Sequence, residues 1–458
     1  MRKIQTLIYM VLLLAFTSCG EDRSGEFYEL IEDKLWMEQV MRTNYLWYED
    51  IPAIENENDY FKEPETFFKG LLSKKAMNGK GDIYSYMEKN SFEEARSLML
   101  DRTSTYGMEF DLYTDPTGTT NHIFARVLYV LNGSPAANAG IQRGDWISAF
   151  NKTRITQSNY HNLKNGGAIA LARERAVQQE NGWGWQSRDT VNVEPSIPME
   201  IFPILYCASY KLNGKTTIYM VYNEFSTGPE DLPDEMEYIE RMMTLFENIK
   251  KDNPDEFILD LRYNNGGYLQ CAQALAAMLM PAEHLGKPLF HLTFNDKQDP
   301  QVATYVAPTE LEPYNINLKR IYILTGPHTA SASETVINAL TPYMGKENVI
   351  VIGTQTKGKN VAMTNIKNNT YGLSLWPVVA QVSNANHESD YANGFTPDYL
   401  LDERNLIEWY ALGSPYEYML SNTLSLINIG TMPQPNAQKT NSTHPVKTSI
   451  QERGILIH

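Results

Sequence analysis

A chain of 458 residues, 42% hydrophobic and 21% charged, has the composition of a globular protein of two or three domains, because single cores rarely grow beyond about 250–300 residues. Its 39 basic against 55 acidic residues give a net charge of −16, which excludes a nucleic-acid binder that works by neutralising phosphates and excludes a polybasic membrane patch. Three scattered cysteines (Cys19, Cys207, Cys271) exclude a zinc cluster or disulfide scaffold, and a single long apolar run excludes a multi-pass membrane protein.

That run lies at the N-terminal end. Arg2 and Lys3 precede ten apolar residues at 7–16, too few for a bilayer span of about 20 helical residues. Thr17, Ser18 and Cys19 follow, the layout of a secretory signal. The segment resembles a bacterial lipoprotein signal, with Phe16 where leucine is usual. The resemblance implies cleavage after residue 18, lipid on the Cys19 thiol and a tether at 19–25, hence a membrane-anchored envelope protein facing the periplasm or displayed on the outer surface. A signal-anchor helix with an incidental cysteine is the alternative.

Residues 26–100 are expected to form a small helical domain. Leu30, Ile31, Leu35, Met37, Val40 and Met41 recur at spacings near 3–4, and Phe67, Phe68, Leu71 and Leu72 mark a second amphipathic helix. From 101 to 206 the pattern changes to strands and turns. Residues 123–130 are β-rich, 133–141 make a turn, a short helix and a glycine stop, and another strand starts near 147. Residues 165–200, with Gly166-Gly167 and Gly182-Trp183-Gly184-Trp185, are expected to be a loop-rich closing segment. Strand–turn–helix units alternate over 207–420: strands at 218–225, 257–261, 321–324 and 349–353, helices at 234–251, 269–280 and from 332 to about 342. That alternation predicts an α/β domain around a mostly parallel sheet. The rest, 421–458, is expected to be a tail, polar and loose from 435 onward.

Ser134-Pro135-Ala136, Gly140, Gly144-Asp145 and Ile147 resemble the signature of the PDZ domains found in proteases. Such a domain binds a peptide by adding it to a sheet edge, with main-chain amides capturing a terminal carboxylate. The resemblance puts the peptide-binding loop at Gly107-Met108-Glu109-Phe110 and its helical wall near 135–139. Glu109 replaces the usual glycine, and an inward carboxylate there would repel a terminal carboxylate.

Three further turns stand in order: Asp260-Leu261-Arg262 with Asn264-Asn265-Gly266-Gly267, then Ser331-Ala332-Ser333-Glu334, then Thr356-Lys357-Gly358-Lys359. Taken together they resemble the C-terminal processing (tail-specific) serine peptidases, in the lipoprotein form of Bacteroidetes-like bacteria, and the likeness covers most of 26–420. It implies a crotonase/ClpP-like α/β core beside a mainly β PDZ domain and the helical domain. It also implies a serine endopeptidase that cleaves polypeptides through an acyl-enzyme, with the PDZ domain binding substrate or gating.

The resemblance assigns the nucleophile to Ser331 and the base to Lys359, with Ser333 and Lys357 as rivals. A serine hydroxyl needs a base, and a lysine serves as one when neutral. The Ala332 amide at a helix N-terminus and an amide of Gly266 or Gly267 would form the oxyanion hole. Met363 stands where relatives carry a glutamine that orients the lysine, so a peptide-binding lipoprotein on a decayed peptidase fold is the alternative function. Asp260 and Arg262 are expected to pair beneath the active-site turn. No His-Glu-x-x-His helix, phosphate loop or dinucleotide fingerprint occurs, so neither metal nor cofactor is implied.

Overall fold

The computed structural model describes residues 24–89, 104–118, 120–180, 182–230, 232, 234–433, 445–450 and 455–456. The expected signal segment with Cys19 lies outside the described residues, as do 90–103 of the expected helical domain. Among the described residues no helix is long and apolar enough to cross a membrane.

The chain divides into two compact units at Asp82. The first holds α1 (Ser24–Asn44) and α2 (Pro64–Gly70). Ile31, Met37, Val40 and Met41 of α1 are buried, whereas Leu30, counted with them from the sequence, is 64% exposed. The Tyr45 hydroxyl donates to Asp82 Oδ2 (2.8 Å) and accepts from the Ser73 amide (3.0 Å). Helix does not extend to 100: residues Tyr86–Lys89 form a strand of the second unit, paired with Leu373–Trp376.

Beyond that strand the second unit continues with β1 (Met108–Thr114), β2 (Ile123–Val130), α3 (Pro135–Asn138), β3 (Trp146–Phe150), β4 (Ile169–Gln179) and β5 (Gly182–Val193). Alternation places Met108, Phe110 and Leu112 in one core with Val127, Ile147 and Leu171. Ser134 caps α3 by accepting from the Ala137 amide (3.1 Å), with Pro135 in the first turn. The expected loop at 165–200 is mostly the β4–β5 hairpin. Its glycines do not end the strand, because Trp185 stacks on Phe124 across the sheet (centroids 4.3 Å apart) and ties its indole N–H to Asp115.

Next come β6 (Ile204–Leu212), β7 (Lys215–Tyr222), α4 (Glu237–Lys251), β8 (Glu256–Asp260), β9 (Gly267–Tyr268), α5 (Leu269–Leu279), β10 (Pro288–Phe294), β11 (Val302–Val306) and β12 (Ile321–Thr325). Then follow α6 (Ala332–Met344), β13 (Val349–Gly353), β14 (Val361–Met363), β15 (Val378–Asn384), β16 (Tyr399–Leu400), α7 (Tyr418–Ile429), β17 (Lys447–Thr448) and β18 (Ile455–Leu456). One sheet has the order β6-β7-β8-β12-β13-β16, and it is parallel from β7 onward. Its inner strands β7, β8, β12 and β13 are buried on both faces: α4, α5 and α6 supply Ile239, Phe246, Leu275 and Val336 to one core, and α7 supplies Met419, Leu420 and Leu424 to the other. Each such fully buried side chain contributes about 1.5–3 kcal/mol.

The segment 421–458 is therefore not simply a tail. Residue 421 lies inside α7, whose Leu and Met face the sheet. Further on, β17 pairs antiparallel with the edge strand β1, and β18 pairs parallel with both β9 and β14 in a sheet of order β9-β18-β14-β15-β10-β11.

Candidate active site

Strands β8, β12 and β13 are parallel neighbours in level register: Asp260 lies opposite Leu324, Leu324 opposite Ile352, and Thr325 opposite Gly353. Their carboxyl ends therefore deliver the three motif-bearing turns to one edge, where open α/β sheets keep their ligand sites.

The first turn is anchored from below. Arg262 grips Asp260 (Nη2 to Oδ2, 2.6 Å), as expected from the sequence, and also reaches Glu403 (2.5 Å) and Glu417 (2.9 Å). Arg143, from the Gly-Asp loop before β3, joins the same two carboxylates (2.6 and 3.3 Å), and the Tyr263 hydroxyl donates to Glu403 (2.7 Å). Burial opposes ionisation of Glu403, but Arg143 and Arg262 outweigh it and hold its carboxyl down at about 2. Glu417 moves the other way, raised by burial and by its distance-sharing neighbour Glu403 despite Arg262. The two carboxylates divide one pair of cations between them.

Asn264 ties this turn to the next one. Its side-chain N–H donates to Tyr222 O (2.9 Å), its Oδ1 accepts the Gly266 amide (2.8 Å), and its carbonyl accepts from the Ala330 amide (3.1 Å) and the Ser333 hydroxyl (3.1 Å). Two of the expected roles change as a result. The rival nucleophile Ser333 is committed to a carbonyl. The Gly266 amide is committed to Asn264, which leaves Gly267 and Ala332 as the oxyanion-donor candidates. Gly266 has a different role: with φ +106°, a Cβ there would lie 2.7 Å from Ser331 Cβ and 2.9 Å from its Oγ. The missing side chain is the space that Ser331 fills.

Ser331 is the N-cap of α6 at φ +66°, ψ −118°. A non-glycine residue held there costs about 1–3 kcal/mol, a strain that clusters at functional sites. Its Oγ is buried and makes no hydrogen bond to the described residues. Ala332, as the first helical residue, presents an N–H with no acceptor inside the helix.

Glu334 joins the second turn to the third. Its Oε2 accepts the Ser331 amide (2.8 Å) and the Lys359 amide (2.8 Å), while its Oε1 accepts the Gly358 amide (2.7 Å) and the Thr356 hydroxyl (2.5 Å). Burial raises its pKa, and these donors pull against that rise. The backbones of Ser331 and Lys359 are thus two hydrogen bonds apart. Gly358, at φ +87°, allows the close approach, since a Cβ would lie 2.5 Å from the Gly394 nitrogen. Lys359 is buried, and the rival Lys357 is exposed. Lys359 Nζ donates to Met363 Sδ (3.1 Å) and lies 4.6 Å from the centre of the Tyr84 ring. Met363, which stands where relatives carry the orienting glutamine, thus accepts a hydrogen bond from the amine. The weight carried by Glu334 and Asn264 was missed in the sequence. Ser-x-x-Glu before an apolar run was a visible signal for Glu334, whereas Tyr84, 275 positions before Lys359, gave none.

Of the expected peptide-binding loop, only Gly107 is in a turn. Met108, Glu109 and Phe110 already belong to β1, with Met108 and Phe110 in the core. Glu109 is raised in pKa by burial and receives the Ser449 hydroxyl. The wall near 135–139 is also corrected: Ala136 is core, and the side chain across the β1 edge from Lys447 is Tyr160. His328 turns its Nε2 to Asp111 of β1 (2.9 Å), linking the nucleophile turn to that strand.

Residues 217–401 match the model of peptidase family S41, and residues 33–86 match that of the peptidase S41 N-terminal domain. The chain belongs to peptidase family S41, a family of serine-type peptidases. It is similar to an S41 protease from Bacteroides fragilis of known crystal structure, with 33% identity, a TM-score of 0.73, and coverage of 86% of this chain and 96% of that one. It is also 23% identical over 313 residues to a carboxyl-terminal-processing protease of Synechocystis sp., and 22% identical over 307 residues to one of Picosynechococcus sp.. The matches span 65% and 66% of those two proteins' lengths.

Proposed function

We propose that this chain is a serine endopeptidase that hydrolyses polypeptides through a Ser331–Lys359 dyad, with the 101–206 region as a PDZ-type peptide binder. The carrying observation is the Glu334 carboxylate, which accepts the amides of both Ser331 and Lys359. It supports a common site for a strained, buried, unpartnered hydroxyl and a buried amine.

In this reading Ser331 Oγ attacks the scissile carbonyl and Lys359 takes its proton. The Ala332 and Gly267 amides hold the oxyanion, Lys359 returns the proton to the leaving amine, and water then releases the acyl group with Lys359 again as base. In this reading the amine leaves Met363 Sδ to reach Ser331 Oγ. Catalytic hydrogen bonds often tighten only with substrate bound. Edge addition to β1 supports peptide capture by the module.

The test is proteolysis of an unstructured protein such as casein by a form lacking residues 1–19, beside Ser331→Ala and Lys359→Ala. Cleavage by the unsubstituted form alone is expected, with losses of about 10⁴-fold or more in both variants. Equal cleavage by all three would remove the dyad, and reaction of none of them with a serine-directed covalent probe would favour a peptide binder. Lipid attachment at Cys19 and an envelope location belong to the same proposal. Fatty-acid labelling that survives Cys19→Ala would overturn them.

A further inference from the structure

Strand β1 is the edge of its sheet, and the chain's own C-terminal segment fills that edge. The Val446 amide donates to Leu112 O (2.7 Å), the Ser449 amide to Phe110 O (2.8 Å), and the Phe110 amide to Ser449 Oγ (2.7 Å). The same Ser449 hydroxyl donates to the Glu109 carboxylate, and Lys447 Nζ lies 5.4 Å from the centre of the Tyr160 ring. The pairing is antiparallel, so the segment runs toward the Gly107 end of β1. A ligand read by its terminal carboxylate would stop there.

This segment continues. Ile450 helps line a cleft of about 330 Å³ whose walls also include Glu109, Asn265 and Gly266. Further along, the backbone of Ile455–Leu456 is hydrogen-bonded between β9, which starts at Gly267, and β14, which ends at Met363. One flank is the candidate oxyanion turn, and the other carries the acceptor of Lys359 Nζ. Residues 446–450 meet the groove and the cleft, and residues 455–456 meet the catalytic turn, the order a substrate strand needs. Glu109 fits this course: a half-buried carboxylate that would repel a chain end is matched by a hydroxyl from a chain passing through.

We propose that the chain acts as its own tethered pseudosubstrate through residues 445–450 and 455–456. These residues occupy the peptide path in cis, exclude other polypeptides until displaced, and mark the path as one for a chain that runs through it with a hydroxyl residue opposite Glu109. The proposal rests on the peptidase and peptide-binding readings above, so its test begins with binding alone.

In a Ser331→Ala background, three proteins are compared for binding a fluorescein-labelled peptide of residues 445–456 by anisotropy: the full chain, a chain ending at residue 444, and the full chain with Ser449→Pro. Proline at 449 removes the amide and the hydroxyl that hold the segment to β1. Both altered proteins should bind the peptide about 10–100-fold more tightly than the full chain, because a tethered competitor acts at roughly millimolar effective concentration. Should the shortened chain fail to fold by circular dichroism, the Ser449→Pro protein decides. Equal binding by all three folded proteins, or no binding by the altered ones, overturns the proposal. With Ser331 restored, casein cleavage should rise by the same factor when the segment is released. Absent cleavage with the expected binding pattern would remove the peptidase reading and leave the tethered occupant standing.

Discussion

At the candidate nucleophile turn, Glu334 accepts four hydrogen bonds, from Ser331, Thr356, Gly358 and Lys359, all supplied by the α/β core itself. Along β1, the edge amide of Phe110 and the carbonyls of Phe110 and Leu112 are satisfied by residues 446–449, more than 330 positions away in sequence. The first set of partners is buried and has no substitute, since losing one strands a donor at about 1–3 kcal/mol. The second set lies on a sheet edge, where in the proposed reading another peptide takes its place. On that reading the difference separates a preorganised catalytic framework from an exchangeable binding edge, and it teaches that buried partners fix the candidate site while edge partners leave its occupant replaceable. Asp111 spans the two regions, pairing with Thr448 through its backbone and with His328 through its side chain.

The comparison can be broken most severely at the buried ion cluster that supports the catalytic side. Glu403→Gln leaves Arg143 and Arg262 short of a charge partner and should cost about 3–5 kcal/mol in urea unfolding at pH 7. The pH dependence has a defined sign. The folded carboxyl sits at about 2, below its value of about 4.3 in the unfolded chain, so its stabilisation is present above about pH 4.3 and is lost as pH falls toward 2. The Gln variant should therefore lose less stability than the unsubstituted chain across that acid range.

Next in size, Glu334→Gln turns one carboxylate oxygen into an N–H₂ group facing amide donors. Two orphaned donors predict a loss of about 2–4 kcal/mol, read as a lower thermal midpoint together with reduced turnover. If the variant kept both, the preorganised side of the comparison would fail. Gly266→Ala sharpens the same side without touching a charge. Its methyl displaces Ser331, so kcat should fall about 100-fold, as for a misplaced reacting group, while KM changes little. The smallest effect belongs to the exchangeable edge. Lys447→Ala removes a cation–π contact worth about 0.5–1 kcal/mol, so the full chain should bind the labelled 445–456 peptide only about 2–5-fold more tightly. A change as large as that of Ser449→Pro would mean that Lys447, and not the backbone ladder, holds the segment.

Much of the catalytic domain was readable from local pattern. Strands at 256–260, 321–325 and 349–353 and helices at 237–251, 269–279 and 332–344 lie within a few residues of their expected places, because continuous apolar runs and 3–4 spacing are local signals. The β4–β5 hairpin was missed because Gly182 and Gly184 are turn residues by composition, and contacts from outside the hairpin, with Phe124 of β2, Trp146 of β3 and Asp115 just beyond β1, give Trp185 its place. Helix α1 was legible in type but not in its exposed Leu30, since the helical period does not say where the apolar face ends.

The chain order of the three motifs, the residue types at 331 and 359, and the glycines beside them follow from the sequence, because chemistry and tight turns each restrict the amino acids that serve. Only the tertiary structure decided which partners those residues take. Ser333 and the Gly266 amide are removed from the candidate machinery by Asn264, Lys359 is drawn to Met363 and Tyr84, and one carboxylate is made the hub of two turns. A polar stretch near the chain's end is a tail by composition. It becomes strand only where β1, β9 and β14 each offer an unpaired backbone edge, and edges exist only once the sheets have formed.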